Sequence, residues 1–416
     1  MANNIKSYKI AMLAPTRIDG ILSGSHLLRD IAVLLNSYKR IKLTIFSIHE
    51  KDDYIKKLNY TENVSKSQGF IGNKNILIRF IDYLTLLING REYTYFIRNA
   101  NKELRIKINK FNPNVIITSY EFADFVYKYK KAHEEVAVIA LMDDPKQIKE
   151  NVTAKINGIN PTNKLKNKFY LLFAKIIGTR HIEFLEQKYG KLVKIADNVI
   201  NFTDEGKYAS IKRYKKYKNK FYVIPPPILL NKNKISISNT RHKVKNILFI
   251  GSGGYAPNDE AVNIIEKYIA PELKEINFNI VGQGYPLVER GNIHYLGTVK
   301  NLNPVLAKAD LCIAPIMHGG GIKTKIITYL ISQRPIIGTS IAFEGYQIKD
   351  GHNAIICNKA EEYPKIIKEL SKNYKLRRKL SKNELEVVSN FSAPRVKKLW
   401  LKLILNVLKA RVAPEK

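Results

Sequence analysis

The sequence predicts an α/β protein with two halves, each built around a parallel sheet, and three observations lead to this prediction. Short apolar runs alternate with helical patterns along most of the chain. These runs are continuous rather than alternating, as in parallel strands that are covered on both faces. The alternation stops once and then starts afresh, and 416 residues exceed the roughly 250–300 that one hydrophobic core commonly serves.

The first half opens as a strand, a glycine-bearing loop, a helix and a strand. The run KIAMLAP at residues 9–15 is followed by Gly20 and Gly24, a helical pattern at residues 27–35 and an apolar run at residues 42–48. This order is the start of a Rossmann-like domain. Further strands are predicted at residues 114–120, 136–142, 198–203 and 221–227.

The α/β pattern is interrupted at residues 225–245, where three prolines precede polar and basic residues. Such a composition is typical of a linker. The pattern resumes with NILFIGSGG and continues to AIIC, and a terminal segment reads as an amphipathic helix. We predict a first domain at residues 1–228, a linker at 229–245, a second domain at 246–393 and a terminal helix at 394–416 that returns to the first domain.

The charge is strongly positive, with 70 Lys and Arg against 36 Asp and Glu and a net charge of +34. Such an excess attracts nucleic acid, anionic lipid headgroups or phosphorylated substrates, although most single lysines simply solubilise a surface. We find no helix-turn-helix, zinc or RRM-type signature, so nucleic acid is not an expected partner. Cys312 and Cys357 lie in apolar runs, and we expect neither a disulfide framework nor a metal site.

We expect a cytoplasmic protein, because the chain begins with a strand pattern instead of a signal peptide. The best apolar stretch, residues 76–88, is too short to span a bilayer and contains Arg79 and Asp82. Residues 164–181 interleave lysines with apolar side chains, as an interfacial helix does. This pattern raises the hypothesis of peripheral attachment to an anionic surface at the inner face of the cell membrane.

Three glycine-bearing turns follow strands in the second half, at residues 251–254, 282–284 and 319–321. Open α/β sheets bind ligands at the carboxyl ends of their strands, and glycine lets the backbone approach a phosphate. In HGGGIKTKIITYL, three glycines precede a helix that carries Lys323 and Lys325 near its start. Helix amides and two ammonium groups favour an anion, so this stretch predicts a diphosphate site. A flexible loop before an ordinary surface helix is the alternative.

Two familiar phosphate motifs are absent. No G-x-x-x-x-G-K-[ST] occurs, which excludes a Walker loop. Residues 251–254 lack the third glycine of a dinucleotide fingerprint, and no acidic residue ends the strand before Gly282. A nicotinamide-dependent enzyme is therefore not expected.

Residues 246–358 resemble the retaining GT-B glycosyltransferases of family four, the group 1 transferases. The resemblance rests on FIGSGGYAPNDEAV, with its Pro-Asn before a helix, then IVGQGYP, NIHYLGTV and the stretch from LAKADLCIAP to IAFEGY, in that order. The first half resembles the family more weakly, through FNPNVI and IADNVINFTDEGK. The resemblance implies two Rossmann-like domains facing a central cleft, with a C-terminal helix that crosses back to the first domain.

The resemblance also implies an activity. A sugar would pass from a nucleoside-diphosphate donor to a glycan or lipid-linked acceptor, with retained configuration and no obligatory cofactor or metal. By match to the family's motifs, residues 251–254 are the first donor-side loop and residues 319–321 the loop over the diphosphate. The donor would also lie against the basic helix that follows and a late Glu-Gly turn. With Lys323 from the glycine stretch, the donor-side residues are Gly251, Ser252, Gly253, Gly254, Gly319, Gly320, Gly321, Lys323, Lys325, Thr328 and Glu344.

One departure from the family pattern bears on activity. The family commonly has two glutamates separated by seven residues, of which the second grips the donor ribose; these positions are Gly320 and Thr328 here. A hydroxyl binds a ribose more weakly than a carboxylate does. A second hypothesis therefore stays open, a catalytically degenerate GT-B-like protein that binds a carbohydrate or a phosphorylated partner.

Two residues of the first half are candidates for the catalytic side. Asp143 follows the strand VAVIALM, where the family places a His or Asp, and would orient an acceptor hydroxyl or stabilise positive charge on the sugar. The alternative is an Asp pair that caps a turn before Pro145. His26 lies near Gly24 at the start of the first helix, although a lone histidine is more often structural.

Overall fold

The computed structural model describes residues 7–14, 23–49, 61–66, 95–142, 164–229 and 243–412. The chain divides into two compact units. The first unit comprises Met1–Pro145, Ile159–Ile228 and Ala393–Lys416, and the second comprises Lys146–Gly158 and Leu229–Ser392.

The first unit contains a parallel sheet of seven described strands. They are β1 (Tyr8–Ala14), β2 (Ile41–His49), β3 (Thr61–Lys66), β4 (Val115–Thr118), β5 (Ala137–Leu141), β6 (Asn198–Asn201) and β7 (Phe221–Val223). Their order is β3-β2-β1-β4-β5-β6-β7, and each pairing is parallel. All residues of β4, β5 and β6 are buried, which explains why these strands appear as continuous apolar runs.

Helices connect these strands. They are α1 (Ser23–Asn36), α2 (Tyr95–Phe111), α3 (Ala123–Ala132), α4 (Lys164–Ile195) and α5 (Asp204–Arg213). The start of α5 is capped by the Thr203 hydroxyl, which accepts from the Gly206 amide at 2.9 Å. A 3₁₀ segment, Lys215–Lys220, leads into β7.

The second unit repeats the arrangement. Its strands are β8 (Asn246–Ile250), β9 (Asn277–Val281), β10 (Val288–Arg290), β11 (Ile293–Gly297), β12 (Leu311–Ala314), β13 (Ile336–Gly338) and β14 (Ile355–Ile356). The order is β10-β11-β9-β8-β12-β13-β14, parallel except for β10 against β11. Apart from the edge strand β10, this is the order of the first six strands of the first unit. The prediction of two Rossmann-like halves is thereby confirmed.

The helices of the second unit follow the same alternation. They are α6 (Ala256–Ile264), α7 (Asn303–Lys308), α8 (Thr324–Ser332), α9 (Tyr363–Lys372) and α10 (Tyr374–Ser389). Helix α6 continues into a π-helical turn at Ile265–Ile269. Both cysteines, Cys312 on β12 and Cys357 after β14, are free and buried.

The strand order of the second unit creates one point where the winding direction reverses, between β8 and β12. At such a switch point the connections leave toward opposite faces, and a crevice opens at the carboxyl ends of the two central strands. The first glycine turn directly follows β8, and the third begins five residues after the end of β12. The fold therefore places them side by side at the carboxyl edge of this sheet.

The last helix, α11 (Ala393–Val412), packs in the first unit against α1 and β5. Val396, Trp400, Ile404 and Val407 are buried and recur at helical spacing on one face. Polar contacts hold both ends: Lys397 Nζ donates to Ser37 Oγ at 2.9 Å, and Arg411 pairs with Asp197. The predicted return of the terminal helix to the first half is confirmed.

We predict that Trp400→Ala lowers the free energy of unfolding by about 3–5 kcal/mol, because truncating a buried aromatic loses its burial and leaves a cavity. Trp400 is fully buried. Circular dichroism during urea unfolding measures the loss. Tyr208→Ala is the matched control, since Tyr208 is 73% exposed and its truncation should cost less than about 0.5 kcal/mol. Equal stability of the two variants would contradict the packing of α11.

Candidate functional site

The candidate site lies at the carboxyl edge of the second sheet, where the first two glycine turns approach each other more closely than side chains permit. A Cβ added to Gly282 would lie 1.8 Å from the Gly251 carbonyl oxygen. Two backbone hydrogen bonds hold this contact, from Gly251 to Val281 at 2.8 Å and from Gly253 to Gln283 at 2.7 Å. The glycines after β8 and β9 are therefore required for the two loops to pack.

The first loop, residues 251–254, uses most of its amides within the protein. Besides the amides of Gly251 and Gly253, the Gly254 amide donates to the Asp259 carboxylate at 3.0 Å. Tyr285 donates its hydroxyl to the same carboxylate at 3.3 Å. Hydrogen bonds within the protein therefore hold this loop in place at one side of the site. From its glycines alone, the sequence suggested amides that are free to bind a ligand.

The third glycine turn, residues 319–321, is called the second loop here. Its amides are used differently from those of the first loop. Gly319 and Gly321 have φ values of +105° and +72°, which side-chain-bearing residues rarely adopt. In the part of the chain that the structure describes, the amides of Gly320 and Gly321 donate to no protein acceptor. Helix α8 then begins at Thr324 without a side-chain cap and without an acidic residue in its first turn. Loop and helix start together present amide donors to an anion.

Lys323 precedes the helix instead of lying within it, in an extended conformation with φ −92° and ψ 100°. Its ammonium group donates to the Glu344 carboxylate at 3.0 Å and to the Gly319 carbonyl at 3.0 Å. Tyr346 donates its hydroxyl to the Lys323 carbonyl at 2.8 Å. The structure thus joins three predicted site residues, and the charge of Lys323 is already balanced by Glu344.

Lys325, on the first turn of α8, has no carboxylate partner in the part of the chain that the structure describes. Its ammonium group donates to Asn258 Oδ1 at 2.6 Å and lies 4.4 Å from the centre of the Phe249 ring. The residue keeps part of its surface exposed, but its ammonium group is enclosed. Burial, followed by repulsion from Lys323, lowers the pKa of Lys325 to about 7.

Asn258 is a site residue that sequence reasoning did not assign, although its Pro-Asn pair marks the resemblance. It lies on α6, is 7% exposed, and occupies the space where a Gly251 side chain would lie, since a Cβ there would be 2.7 Å from its carboxamide carbon. Its Nδ2 donates to the Ser252 carbonyl at 2.9 Å. Asn258 therefore connects the first loop to Lys325.

A second pair joins α6 to the second loop. His318 Nδ1 lies 2.5 Å from Glu260 Oε2, directly before Gly319. Thr328 follows Lys325 by one turn, is half-buried, and its hydroxyl makes a long contact of 3.4 Å to the Thr324 carbonyl. The hydroxyl of Thr328 is thus on the same helix face as Lys325 but is bound only weakly within the protein.

The structure describes less of the two catalytic candidates in the first half, His26 and Asp143. His26 is on α1, whose backbone the structure describes, and Asp143 lies outside the described residues. Their roles stay predictions. Among the described residues, no group of three or more His, Cys, Asp and Glu side chains is arranged to hold a metal ion.

Comparisons with known proteins agree with this architecture. Residues 244–373 match the family described as Glycosyl transferases group 1. No curated protein sequence matches the chain. Sucrose-phosphate synthase from Thermosynechococcus elongatus superposes with a TM-score of 0.70 at 12% identity, covering 97% of this chain and 100% of that one.

Two further solved structures are similar over nearly the whole chain. Anabaena HepE in complex with UDP-glucose has a TM-score of 0.62 at 11% identity and covers 96% of this chain and 100% of its own. S. aureus TarM in complex with fondaparinux, alpha-GlcNAc-glycerol and UDP has a TM-score of 0.64 at 11% identity and covers 95% and 99%. These likenesses establish the GT-B fold that the sequence resemblance implies.

We predict that Lys325 titrates near pH 7 in the free protein. An enclosed ammonium group loses its proton more readily than a hydrated one, so at pH 8 most molecules carry Lys325 uncharged and at pH 6 most carry it charged. NMR of protein labelled with ¹³Cε-lysine measures this midpoint, and the Lys325→Arg variant identifies the signal. A midpoint near the ordinary lysine value of about 10.4 would contradict the enclosure of this group.

Proposed function

We propose a function from the premise that residues 244–373 form a glycosyl transferases group 1 domain within a GT-B fold. The chain transfers a sugar from a nucleoside-diphosphate-sugar donor to a glycan or lipid-linked acceptor, with retained configuration. One observation carries this proposal: the amides of the second loop, the uncapped start of α8 and the Lys325 ammonium group converge at the switch point of the second sheet.

The chemistry that this arrangement supports is the departure of a diphosphate. The bond between the anomeric carbon and the β-phosphate oxygen breaks, and the acceptor oxygen bonds to that carbon on the same face. The acceptor hydroxyl passes its proton to the departing diphosphate. Negative charge grows on the leaving diphosphate. Amide donors and a partly desolvated ammonium group stabilise such charge strongly, because little reorganisation is needed when it develops.

Each predicted residue has a place in this proposal. Gly251, Ser252, Gly253 and Gly254 form the wall beside the nucleotide, and the second loop covers the diphosphate. Thr328 takes the position of the ribose-binding glutamate, and Glu344 with Lys323 closes the sugar side. We assign Asp143 and His26 to the acceptor side, and we propose no obligatory cofactor or metal.

The ligands of similar structures support the substrate classes. HepE was solved with UDP-glucose and TarM with UDP and the glycan fondaparinux. A catalytically degenerate binding protein is the second candidate, because the carboxylates expected at Gly320 and Thr328 are missing. The two candidates differ in whether a bound donor is ever hydrolysed or transferred.

The test screens a panel of UDP-, GDP- and ADP-sugars. Thermal shift measures binding of each donor, and release of the nucleoside diphosphate measures its turnover. We expect one donor to stabilise the protein and to be hydrolysed slowly. Lys325→Ala should then raise the Kd of that donor about 10- to 100-fold, as expected for a lost charge-assisted contact. Lys323→Ala should have a smaller effect, since Glu344 already balances that charge.

Three outcomes separate the candidates. Binding with no turnover favours the degenerate protein. Binding with no loss in either lysine variant would show that the diphosphate lies elsewhere. No binding of any donor would remove the transferase proposal.

A membrane location of the acceptor is supported by a lysine surface on the first unit. Lys191 and Lys194, near the end of α4, lie beside Tyr127 and Lys131 of α3. Lys220 donates to the carbonyls of Val193 and Lys194 in the last turn of α4 and of Ala196 just after it, which brings the 3₁₀ segment against the same helix end. We define the lysine surface as Lys128, Lys131, Lys191, Lys194, Lys215, Lys216 and Lys218.

Residues 164–181, the candidate interfacial segment, form the first part of α4. No helix in the described part of the chain is long and apolar enough to cross a bilayer. We propose that the lysine surface holds the protein at an anionic inner membrane face. Each lysine near such a surface contributes about 1 kcal/mol at low salt, and salt screens this attraction.

We predict that the protein floats with vesicles containing anionic phosphatidylserine at low salt and not with neutral vesicles. Reversing the charge of Lys128, Lys131 and Lys194 to Glu should abolish flotation. The control reverses three exposed lysines of the second unit, Lys267, Lys365 and Lys372, which changes the net charge equally. Equal loss in both variants would mean that total charge, not this surface, drives binding. Absence of flotation at low salt would favour a soluble acceptor.

A further inference from the structure

Asn258 links the two sides of the candidate donor site through one carboxamide. Its Oδ1 accepts from Lys325 Nζ at 2.6 Å, and its Nδ2 donates to the Ser252 carbonyl at 2.9 Å. Both partners fix the orientation of the amide, because an ammonium group only donates and a carbonyl oxygen only accepts. Asn258 is 7% exposed, so this geometry is enclosed by the protein.

Lys325 depends on this carboxamide. Among the described residues, Asn258 is the one hydrogen-bond acceptor of its ammonium group, and the remaining described contact is the Phe249 ring at 4.4 Å. The Gly251 backbone leaves room for the carboxamide, since a Cβ there would lie 2.7 Å from its carbon. The position of the ammonium group is therefore determined by α6 and the first loop.

None of the charged groups that the structure describes around Lys325 balances its charge. On its own segment Lys323 repels it, and Lys323 is paired with Glu344 from the turn after β13. On α6, Glu260 lies beside the His318 ring, with its Oε2 2.5 Å from Nδ1. Tyr329, from the next turn of α8, has a pKa that burial raises well above its ordinary value, so it carries no charge. A neutral amide at residue 258 holds the ammonium group without neutralising it.

We propose that Asn258 is a positioning residue that holds the Lys325 ammonium group at the donor diphosphate and keeps its charge available to that diphosphate. This inference rests on the proposed function. It explains why a carboxylate pairs with Lys323 while an amide contacts Lys325. A carboxylate at residue 258 would hold Lys325 equally well but would compete with the diphosphate for its charge.

The first test is a double-mutant cycle on the Kd of UDP-glucose, measured by titration calorimetry. Asn258→Ala should raise this Kd about 3- to 10-fold in the wild-type background, the range expected for one lost hydrogen bond. In the Lys325→Ala background the same change should alter it less than about twofold, because the effect passes through Lys325. An equal loss in both backgrounds would overturn the proposal, since Asn258 would then act only through the first loop.

The second test needs no ligand. In Asn258→Asp, a carboxylate adjacent to the ammonium group should move the ¹³Cε-lysine titration midpoint of Lys325 from about 7 to about 8–10. The same variant should bind UDP-glucose about tenfold more weakly at pH 6.5, although Lys325 is fully protonated there. Opening of the site would also raise this midpoint, toward the ordinary lysine value of about 10.4, so circular dichroism during urea unfolding must show the same cooperative transition as in the wild type. A raised midpoint and weaker binding in a variant that is folded in this way identify positioning.

Asn373→Asp is the matched control. Asn373 caps α10 by accepting from the Leu376 amide at 2.9 Å, and aspartate caps a helix equally well. This variant should leave both the midpoint and the affinity unchanged. If wild-type protein does not bind UDP-glucose, the donor proposal fails for this nucleotide, while the titration still decides the role of Asn258. An unchanged midpoint in Asn258→Asp overturns that role.

Discussion

The candidate site depends on how closely two backbone segments approach at the carboxyl edge of the second sheet. The loops after β8 and β9 are so close that a Cβ on Gly282 would lie 1.8 Å from the Gly251 oxygen. This contact determines the course of the first loop. The space beside Gly251 then accommodates the Asn258 carboxamide, and that carboxamide positions Lys325. A side chain at either glycine would displace each later member of this series.

Lys323 and Lys325, two lysines separated by one residue, have different contact partners. Lys323 has a carboxylate partner at 3.0 Å, whereas Lys325 has a neutral amide and an aromatic ring. In a partly desolvated site an unpaired cation is costly, which is why the pKa of Lys325 falls. An anion that enters the site removes this cost. Within the described ranges, no carboxylate balances the charge of Lys325.

The backbone amides of the two loops are used in different ways. The first loop satisfies its amides internally and braces the site through Asp259 and Tyr285. The second loop leaves two amides without a described protein acceptor, next to the start of α8. Gly320 is the position where the resemblance places a glutamate, and it is a buried glycine here. The groups that the proposed function assigns to the diphosphate are therefore backbone amides and a lysine ammonium group.

The sequence by itself determined the two-half α/β fold and the position of the glycine turns, because both follow from local patterns. Continuous apolar runs predicted β4, β5, β6, β8 and β12, and one-face periodicity predicted α11. These patterns depend on neighbours a few residues apart. The resemblance named the second loop and Lys325 for the same reason, since their motif is contiguous.

Only the tertiary structure decided how the site residues interact. Asn258 meets Lys325 across 67 residues, and Glu344 meets Lys323 across 21. Two amides of the first loop donate to carbonyls at and just after the end of β9. These partners become available only once β8 and β9 have paired in the sheet. No local pattern encodes such partners, because they are brought together by strand order at the switch point. The lowered pKa of Lys325 likewise arises from burial, which exists only in the folded chain.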